Sequence, residues 1–189
     1  GGGVAGLNAA VMAMGLGADV TVLDRSLARL AYIDTIYQGR IKTLASTFGA
    51  IDREVKAADL VVGAVLVHGA KAPKLVSNEQ VKGMKPGAVL VDIAIDQGGC
   101  FEDSRATTHA EPTYKVHDAI FYCVANMPGA VPVASTYALT NATLPYALSL
   151  ANNGWEEAIA RDGALAKGLN VHAGKVRYEA VAVAHGYSM

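Results

Sequence analysis

The chain has 189 residues, of which 52% are hydrophobic and 17% are charged, and its formal net charge is −1. A protein with so small a net charge has no strong positive electrostatic potential to attract nucleic acid or an anionic membrane, so neither is expected as a partner. The longest apolar runs, such as residues 60–66, are far shorter than a membrane span. The length and the high apolar share favour one buried core with a small appendage.

The few cysteines and histidines do not form a metal-binding pattern. Cys100 and Cys123 are the two cysteines, and the five histidines are scattered along the chain. Because their spacing matches no known set of metal ligands, no metal site is expected. Two cysteines of this kind are more typical of buried, reduced thiols in a cytoplasmic protein.

The chain opens on a glycine pattern, since residues 1–6 read G-x-G-x-x-G with Gly1, Gly3 and Gly6. In a Rossmann βαβ unit the first glycine makes a tight turn and the second lets the backbone approach a pyrophosphate. The third lets the helix pack closely on the sheet, and the helix N-terminus offers free N–H groups to the phosphates. A buried strand normally precedes this pattern. Because none does here, we interpret the chain as the C-terminal part of a longer dinucleotide enzyme.

The segment after the glycines supports the same interpretation. Residues 7–14 are Ala-rich and apolar, which predicts a helix, and residues 19–23 predict a short strand that Asp24 ends. Asp24 follows Gly6 by 18 residues, close to the roughly 20 expected for the acid that binds the adenosine ribose. A carboxylate there repels a 2′-phosphate and favours NAD over NADP, although Arg25 beside it offers an offsetting charge. The alternative for Asp24 is a solvated turn residue.

Helix and strand patterns alternate through the first two thirds of the chain. Ser26 and Ser77 are the predicted N-caps of two of the helices. The short links predict an α/β fold of the Rossmann type, with an open, doubly wound parallel sheet. The predicted elements are helices over residues 26–37, 48–57 and 77–84 and strands over residues 40–45, 59–66, 88–94, 114–116 and 120–124.

The composition changes near Pro128, after which the pattern is helical. We predict helices over residues 136–152, with a kink at Pro145, and over residues 155–161 and 175–185. No strand of the main sheet is expected there. The predicted domains are therefore residues 1–130, an NAD-binding domain without its first strand, and residues 131–189, helices that return to a second, substrate domain.

Ligands of open α/β sheets bind outside the carboxyl ends of the strands. Asp96 follows one predicted strand beside two glycines, where an acid can project into a cleft or simply cap its own loop. Asn126 follows another, where it either binds a carboxamide or holds its turn. We interpret the lysines and the histidine of the intervening loop, His68, Lys71 and Lys74, as solvated rather than catalytic.

Three long segments resemble the L-alanine dehydrogenase family. They are residues 58–77 (ADLVVGAVLVHGAKAPKLVS), 84–102 (MKPGAVLVDIAIDQGGCFE) and 116–146 (VHDAIFYCVANMPGAVPVASTYALTNATLPY), and the resemblance extends over essentially the whole chain. It implies the reversible conversion of L-alanine, NAD+ and water to pyruvate, ammonium and NADH. It also implies a cytoplasmic homohexamer and a substrate domain built from an N-terminal portion plus the last helices.

The resemblance also assigns roles to residues of this chain. Asp96 matches the family's active-site aspartate, whereas the family's catalytic His and Lys and its substrate-binding Arg belong to the N-terminal portion. Some members hold a metal at the helix equivalent to residues 149–153, but Ser149 and Asn153 are poor ligands, so no metal is expected there. The implied cofactor contacts are Gly1, Gly3, Val4, Ala5, Gly6, Asp24, Arg29, Ser46, Val65, Leu66, Ile93, Ala94, Ile95, Asp96, Arg105, Val124, Ala125, Asn126 and Met127.

Two alternatives remain beside this interpretation. The nicotinamide-binding domain of proton-translocating transhydrogenases is similar but carries an extra segment after the second Rossmann helix. Here the helix predicted over residues 26–37 runs almost directly into Arg40, which favours alanine dehydrogenase. The other alternative is a non-catalytic NAD-binding module, which we expect to begin with its own first strand.

Overall fold

The computed structural model describes residues 1–65, 67 and 72–188, which form two compact units. The described part of the first unit ends at residue 127, and the second unit begins at residue 128. The first unit alternates helices and strands as predicted. Its elements are α1 (Val4–Gly15), β1 (Val20–Asp24), α2 (Leu27–Tyr37), β2 (Ile41–Ala45), α3 (Phe48–Ala57), β3 (Leu60–Gly63), α4 (Asn78–Lys82), β4 (Val89–Asp92), β5 (Thr113–Val116) and β6 (Ala119–Tyr122).

Both predicted N-caps are confirmed. The Ser26 hydroxyl accepts a hydrogen bond from the backbone N–H of Arg29 at 3.2 Å, which satisfies one free donor of the first turn of α2. At α4 the Ser77 side chain accepts from the N–H of Gln80, whose own side chain accepts from the N–H of Ser77. This reciprocal pair is a capping box, and it fixes where α4 begins.

The strands form a parallel-dominated α/β fold, as predicted, but one strand runs against the others. β1 pairs with β2 in parallel, and β3, β4 and β6 are also parallel in a sheet of order β3-β4-β6-β5. β5 is antiparallel to β6. Only His117 and Asp118 separate these two strands, and a link this short cannot make the crossover that parallel strands need. The expectation of a fully parallel sheet is therefore wrong at its β5 edge.

A groove separates the two sheets of the first unit. In the described part of the chain, β1 has only β2 as a strand partner and β3 has only β4. The groove has a volume of about 1360 Å³, and its lining includes both strands, Val20 to Leu23 on one side and Leu60 to Gly63 on the other. Edges of β1 and β3 without a described strand partner thus line this groove.

Each sheet has its own apolar core. Ile33 and Ile41 are fully buried beside Val22 under the β1–β2 sheet. Leu90 and Phe121 are fully buried in the larger cluster around β4 and β6. Each such side chain stabilises the fold by about 1.5–3 kcal/mol through its removal from water. These two cores hold the strand ends that carry the candidate site.

The second unit is mainly helical, and two details differ from the prediction. The long helix α5 (Pro132–Arg161) continues through Pro145 and leaves helical geometry at Gly154, where φ is 75° and ψ is 164°. Glycine adopts this backbone readily, so the helix is interrupted at Gly154 and not at Pro145. Residues 155–161 then form a separate helical segment, as predicted.

The end of the second unit is partly a hairpin. α6 (Gly163–Ala166) is followed by β7 (Val171–His172) and β8 (Lys175–Val176), which pair antiparallel, and by α7 (Glu179–His185). The predicted helix over residues 175–185 therefore starts four residues late, because Lys175 and Val176 are taken up by this pairing. Among the described helices, none is long and apolar enough to span a membrane.

Candidate functional site

The three glycines of the opening pattern have different surroundings. A Cβ on Gly1 would lie 2.8 Å from the carbonyl oxygen of Ala64, and one on Gly6 would lie 1.9 Å from the carbonyl oxygen of Gly1. Neither position accepts a side chain, so the turn packs tightly against the end of β3. Gly3 instead has open space where a Cβ would stand. That opening leaves room for a ligand to approach the backbone.

Gly3 is also the N-cap of α1, and no described side chain caps this helix. The first turn contains Val4 and Ala5, both exposed, followed by Gly6. The N–H groups of a helix's first turn have no acceptor within the helix and carry its partial positive charge. The space over Gly3 therefore combines access to the backbone with donors for an anion, which suits a phosphate group.

Asp24 ends β1 beside this turn, and its carboxylate is already held by two backbone donors. Oδ2 accepts from the N–H of Gly2 at 2.7 Å, and Oδ1 accepts from the N–H of Ser26 at 2.8 Å. Burial alone would raise the pKa of Asp24, but the hydrogen bonds from Ser26 and Gly2 outweigh it and lower the pKa. The carboxylate is ionised at neutral pH and keeps free lone pairs for hydroxyl donors.

Two further predicted contacts lie around Asp24. The Nε of Arg29 donates to the carbonyl of Gly2, and its guanidinium lies over the Tyr32 ring at 5.0 Å. The N–H of Ser46, just past β2, donates to the carbonyl of Asp24 at 2.9 Å. Arg29 and Ser46 are thus brought together with Asp24, as expected for one end of a dinucleotide site. Arg25 is exposed, and among the described contacts its side chain makes no hydrogen bond or ion pair with this group.

The carboxyl ends of β3 and β4 meet the glycine turn. Gly63 pairs with Asp92 in register, and the N–H of Ile93 donates to the carbonyl of Gly63 at 2.8 Å. A Cβ on Gly1 would lie 3.1 Å from a methyl group of Val65. Val65 and Ile93 therefore lie at the same sheet edge as the glycines. Leu66, His68 and Lys71 lie outside the described residues.

After β4 the chain makes a short 3₁₀ turn over Ile95–Gln97. Ile95 is buried in the core, whereas Ala94 is half-buried. Asp96 is exposed, and no hydrogen bond of the described residues engages its carboxylate. Among these contacts nothing supports the loop-capping alternative for Asp96.

The residue that does hold this loop is Asp92, which the sequence analysis missed. Its carboxylate is fully buried and accepts from the N–H groups of Cys100 at 2.7 Å, Ala94 at 3.1 Å and Phe101 at 3.4 Å. It also accepts from the hydroxyl of Ser104. The available signal was an acid that closes a run of apolar residues, since an unpartnered carboxylate there is too costly to bury.

The end of β6 supplies the remaining predicted contacts. Val124 is fully buried and bridges Thr107, so it leaves a ligand no accessible surface, and Ala125 follows it, half-buried. Asn126 has a positive φ of 57° and is exposed, and its carbonyl oxygen lies 3.1 Å from Nε2 of His109. Its backbone conformation supports the turn-holding alternative, while its exposed amide is still available to a ligand. Met127, half-buried, begins a 3₁₀ turn.

Arg105 packs on an aromatic ring, and both cysteines are buried. The Arg105 guanidinium stacks on the Tyr114 ring at 3.9 Å from its centroid. Both cysteines are free and buried, and burial raises the pKa of the Cys100 and Cys123 thiols. Within residues 1–65, 67 and 72–188, no three His, Cys, Asp or Glu side chains come together to hold a metal ion.

Comparison with known proteins agrees with this geometry. The sequence profile described as "Alanine dehydrogenase/PNT, C-terminal domain" matches residues 1–179. An alanine dehydrogenase of Mycolicibacterium smegmatis is 65% identical over 96% of this chain and 49% of its own length. One of Halomonas elongata is 61% identical over 98% of this chain and 50% of its own length. The chain thus spans about half the length of the curated relatives it matches.

Solved structures agree as well. A structure titled L-alanine dehydrogenase superposes with a TM-score of 0.86 at 48% identity, over 98% of this chain and 51% of that one. A transhydrogenase from Sinorhizobium meliloti gives a TM-score of 0.65 at 24% identity, over 95% of this chain and 48% of its own, which shows a shared fold alone. The chain belongs to the alanine dehydrogenase/PNT C-terminal domain family.

Proposed function

We propose that this chain is the C-terminal half of an NAD-dependent alanine dehydrogenase. The reaction is the reversible conversion of L-alanine, NAD+ and water to pyruvate, ammonium, NADH and a proton. The observation that carries the proposal is that two features lie side by side, the free space over the backbone of Gly3 and the ionised carboxylate of Asp24. The N–H of Gly2, next to Gly3, donates to Oδ2 of Asp24 at 2.7 Å. Alanine dehydrogenases at 61–65% identity support the substrate.

The described residues suit the pyrophosphate and the adenosine half of a dinucleotide. The N–H groups at the start of α1, from Val4 to Gly6, bind the pyrophosphate over Gly3. Asp24 accepts hydrogen bonds from the hydroxyls of the adenosine ribose, and its negative charge repels the 2′-phosphate of NADP. Arg29 and Ser46 line the adenosine end.

The other half of the cofactor lies along the strand ends. When bound, NAD supplies the acceptor for the hydride that leaves the substrate carbon. In this proposal the segments with Val65 and Leu66, with Ile93 to Ile95 and with Val124 to Met127 orient the nicotinamide ring. The fully buried Val124 supports its more accessible neighbours Ala125 and Asn126, and Arg105 is a further cofactor contact. A ring held in one orientation presents one face to the substrate.

Asp96 is the proposed catalytic residue, because its exposed carboxylate stands at the strand end where the ring would lie. It would orient the substrate's amino group or accept a proton from it, a contribution that is typically worth about 10²–10⁴ in rate. The remaining substrate-binding groups, a His, a Lys and an Arg, would come from the N-terminal half. That half would also supply the strand that fills the groove between β1 and β3.

Two features of the whole protein follow the family. We propose a homohexamer, in which the helices of residues 131–189 return to the substrate domain. We also propose a cytoplasmic location, which the two buried, free thiols support, because reduced cysteines are typical of that compartment. The three residues between α2 and β2 leave no room for the extra segment of transhydrogenases, which supports alanine dehydrogenase.

The test uses the full-length protein and three amino acids, L-alanine, L-serine and glycine, with NAD+ or NADP+. We expect reduction of NAD+ with L-alanine as the best substrate. Asp96→Asn should lower kcat by about 10²–10⁴ while NADH binding stays nearly unchanged. Asp118→Asn, an exposed acid on the β5–β6 turn, is the matched control and should keep full activity. No oxidation of L-alanine, or equal kcat in the two variants, would contradict the proposal.

A further inference from the structure

The turn that carries Asp96 has an irregular backbone that needs support. Residues 94–101, named here the Asp96 turn, contain Gly98 with φ 91° and Gly99 with φ 77°. Three internal backbone hydrogen bonds close the turn, from the N–H groups of Gln97 and Gly99 to the carbonyl of Ala94 and from the N–H of Gly98 to that of Ile95. Neighbouring residues bind further groups of its backbone, and a surface turn of this kind is held in place by such contacts. The position of Asp96 therefore depends on what contacts this turn.

On the buried side of the turn, the carboxylate of Asp92 binds backbone N–H groups of the turn. This carboxylate accepts from Ala94, Cys100 and Phe101, so both ends of the turn bind one side chain. A Cβ on Gly99 would lie 2.7 Å from Oδ2 of Asp92, so the backbone closes directly over the carboxylate. This arrangement holds N–H groups at both ends of the turn, whereas several of its carbonyl groups are bound by residues 72–75.

Lys74 holds the exposed side through two of those carbonyls. Its Nζ donates to the carbonyl of Gly98 at 2.6 Å and to that of Phe101 at 2.9 Å. The backbone next to Lys74 adds two parallel contacts, since the N–H of Ala72 donates to Gln97 at 2.9 Å and that of Leu75 to Cys100 at 2.7 Å. Hydrogen bonds from an ammonium group are short and strong compared with neutral ones.

We propose that Lys74 is a positioning residue for Asp96, acting with Asp92 as a two-sided clamp on the Asp96 turn. The inference rests on the function proposed above, because it assigns the clamp to the residue that handles the substrate. Lys74 does not touch the reacting atoms in this proposal. It fixes the backbone from which the Asp96 carboxylate projects, and a misplacement of about 1 Å in such a group can cost about 10² in rate.

The test compares Lys74→Met with Lys74→Arg and with Lys85→Met in the full-length protein. Methionine removes the ammonium group with both hydrogen bonds but keeps the unbranched side chain, one atom shorter, whereas the arginine side chain can still donate to two carbonyls. Lys85 is the matched control, because it is also exposed and pairs only with Asp59 at 2.9 Å in the described contacts. We expect Lys74→Met to lower kcat about tenfold or more, with KM for NAD+ and the melting temperature nearly unchanged. Lys74→Arg should recover most of the loss.

A double-mutant cycle separates positioning from general damage. If Lys74 acts through Asp96, then adding Lys74→Met to Asp96→Asn should lower kcat no further, whereas independent effects would multiply. Hydrogen exchange of residues 95–101 should be faster in Lys74→Met than in Lys85→Met. An unaltered protein that oxidises L-alanine, with unchanged kcat in Lys74→Met or multiplying effects in the cycle, would overturn the clamp and leave the function intact. An unaltered protein inactive on L-alanine would overturn the function and, with it, the role of Lys74.

Discussion

The N–H of Gly2 donates a hydrogen bond to Oδ2 of Asp24 at 2.7 Å, which ties the glycine turn to the end of β1. The acid that is proposed to bind the ribose is therefore also part of the scaffold of the phosphate site. Arg29 strengthens the same link, because its side chain donates to the carbonyl of Gly2. A change at Asp24 should consequently affect both the ribose and the shape of the turn.

Replacing Asp24 by alanine should weaken NADH binding in the full-length protein by about 1.5–3 kcal/mol, the range for a hydrogen bond to a charged group. The loss corresponds to roughly 10- to 150-fold in Kd. Titration calorimetry measures it directly. Asp34→Ala, an exposed acid on α2, is the control and should bind NADH as the unaltered protein does. Equal affinity of the two variants would remove Asp24 from the ribose site.

The stabilising effect of Asp24 should depend on pH in a defined direction. Burial raises its pKa, but the hydrogen bonds from Ser26 and Gly2 outweigh that effect, so the folded pKa lies below the unfolded one. The contribution is fully present above the unfolded pKa of about 3.9 and is lost as pH falls through the lower, folded pKa.

The free energy of unfolding of Asp24→Asn, measured in urea from neutral pH down to about pH 3, checks this sign. The variant should be less stable than the unaltered protein at neutral pH, and the difference should shrink as the solution becomes more acidic. A difference that grows on acidification would show that the folded pKa is raised instead.

Gly3→Ala and Gly6→Ala should affect different properties. A Cβ at Gly6 would lie 1.9 Å from the carbonyl oxygen of Gly1, so Gly6→Ala should destabilise the fold by about 1–3 kcal/mol or more. Gly3 has open space there, so Gly3→Ala should change stability by less than about 0.5 kcal/mol. Its methyl group would instead occupy the phosphate approach and weaken NADH binding about tenfold. Thermal unfolding and calorimetry on both variants separate the two effects, and a folded Gly3→Ala with unchanged affinity would contradict the phosphate site.

Both cysteines should be inert in the folded protein. Cys100 and Cys123 are fully buried, and burial raises the pKa of each thiol, so at pH 8 neither forms an accessible thiolate. Titration with a disulfide reagent should give almost no reaction in native buffer. Both thiols should react at once after the protein is unfolded in guanidinium chloride, and rapid native reaction would show that the core around β4 opens readily.

The sequence predicted the regular parts of this fold well, because they depend on local patterns. Apolar runs predicted β1, β3 and β4, alternation over residues 40–45 predicted β2, and the serines before α2 and α4 predicted their caps. The direction of β5 could be missed because it depends on the length of one turn, at His117 and Asp118. The separation between the helices predicted over residues 136–152 and 155–161 agrees with the break at Gly154. The expected interruption at Pro145 is wrong, because the helix continues through this proline.

The candidate site was predictable only where a motif marks it. The glycines and Asp24 have a defined spacing, and their contacts agree with that spacing. No motif marks Asp92 or Lys74, because both act through hydrogen bonds with distant backbone groups. Lys74 binds the carbonyl of Gly98, 24 residues further along the chain, and Asp92 binds the N–H of Cys100, 8 residues further along. Backbone partners are the same at every position, so the sequence does not show which of them a side chain will reach.

The last prediction concerns residues 1–189 produced as an isolated polypeptide. The edges of β1 and β3 that face the groove are open for pairing with other chains, as are the exposed apolar side chains of α5, such as Tyr137, Leu139 and Trp155. We expect this polypeptide to be insoluble or molten and inactive on L-alanine, since losing both partners should exceed the ~5–15 kcal/mol stability of a typical domain. Size-exclusion chromatography and calorimetry check this, with the full-length protein as the control. A monomer with a cooperative thermal transition would show that the groove needs no strand from elsewhere.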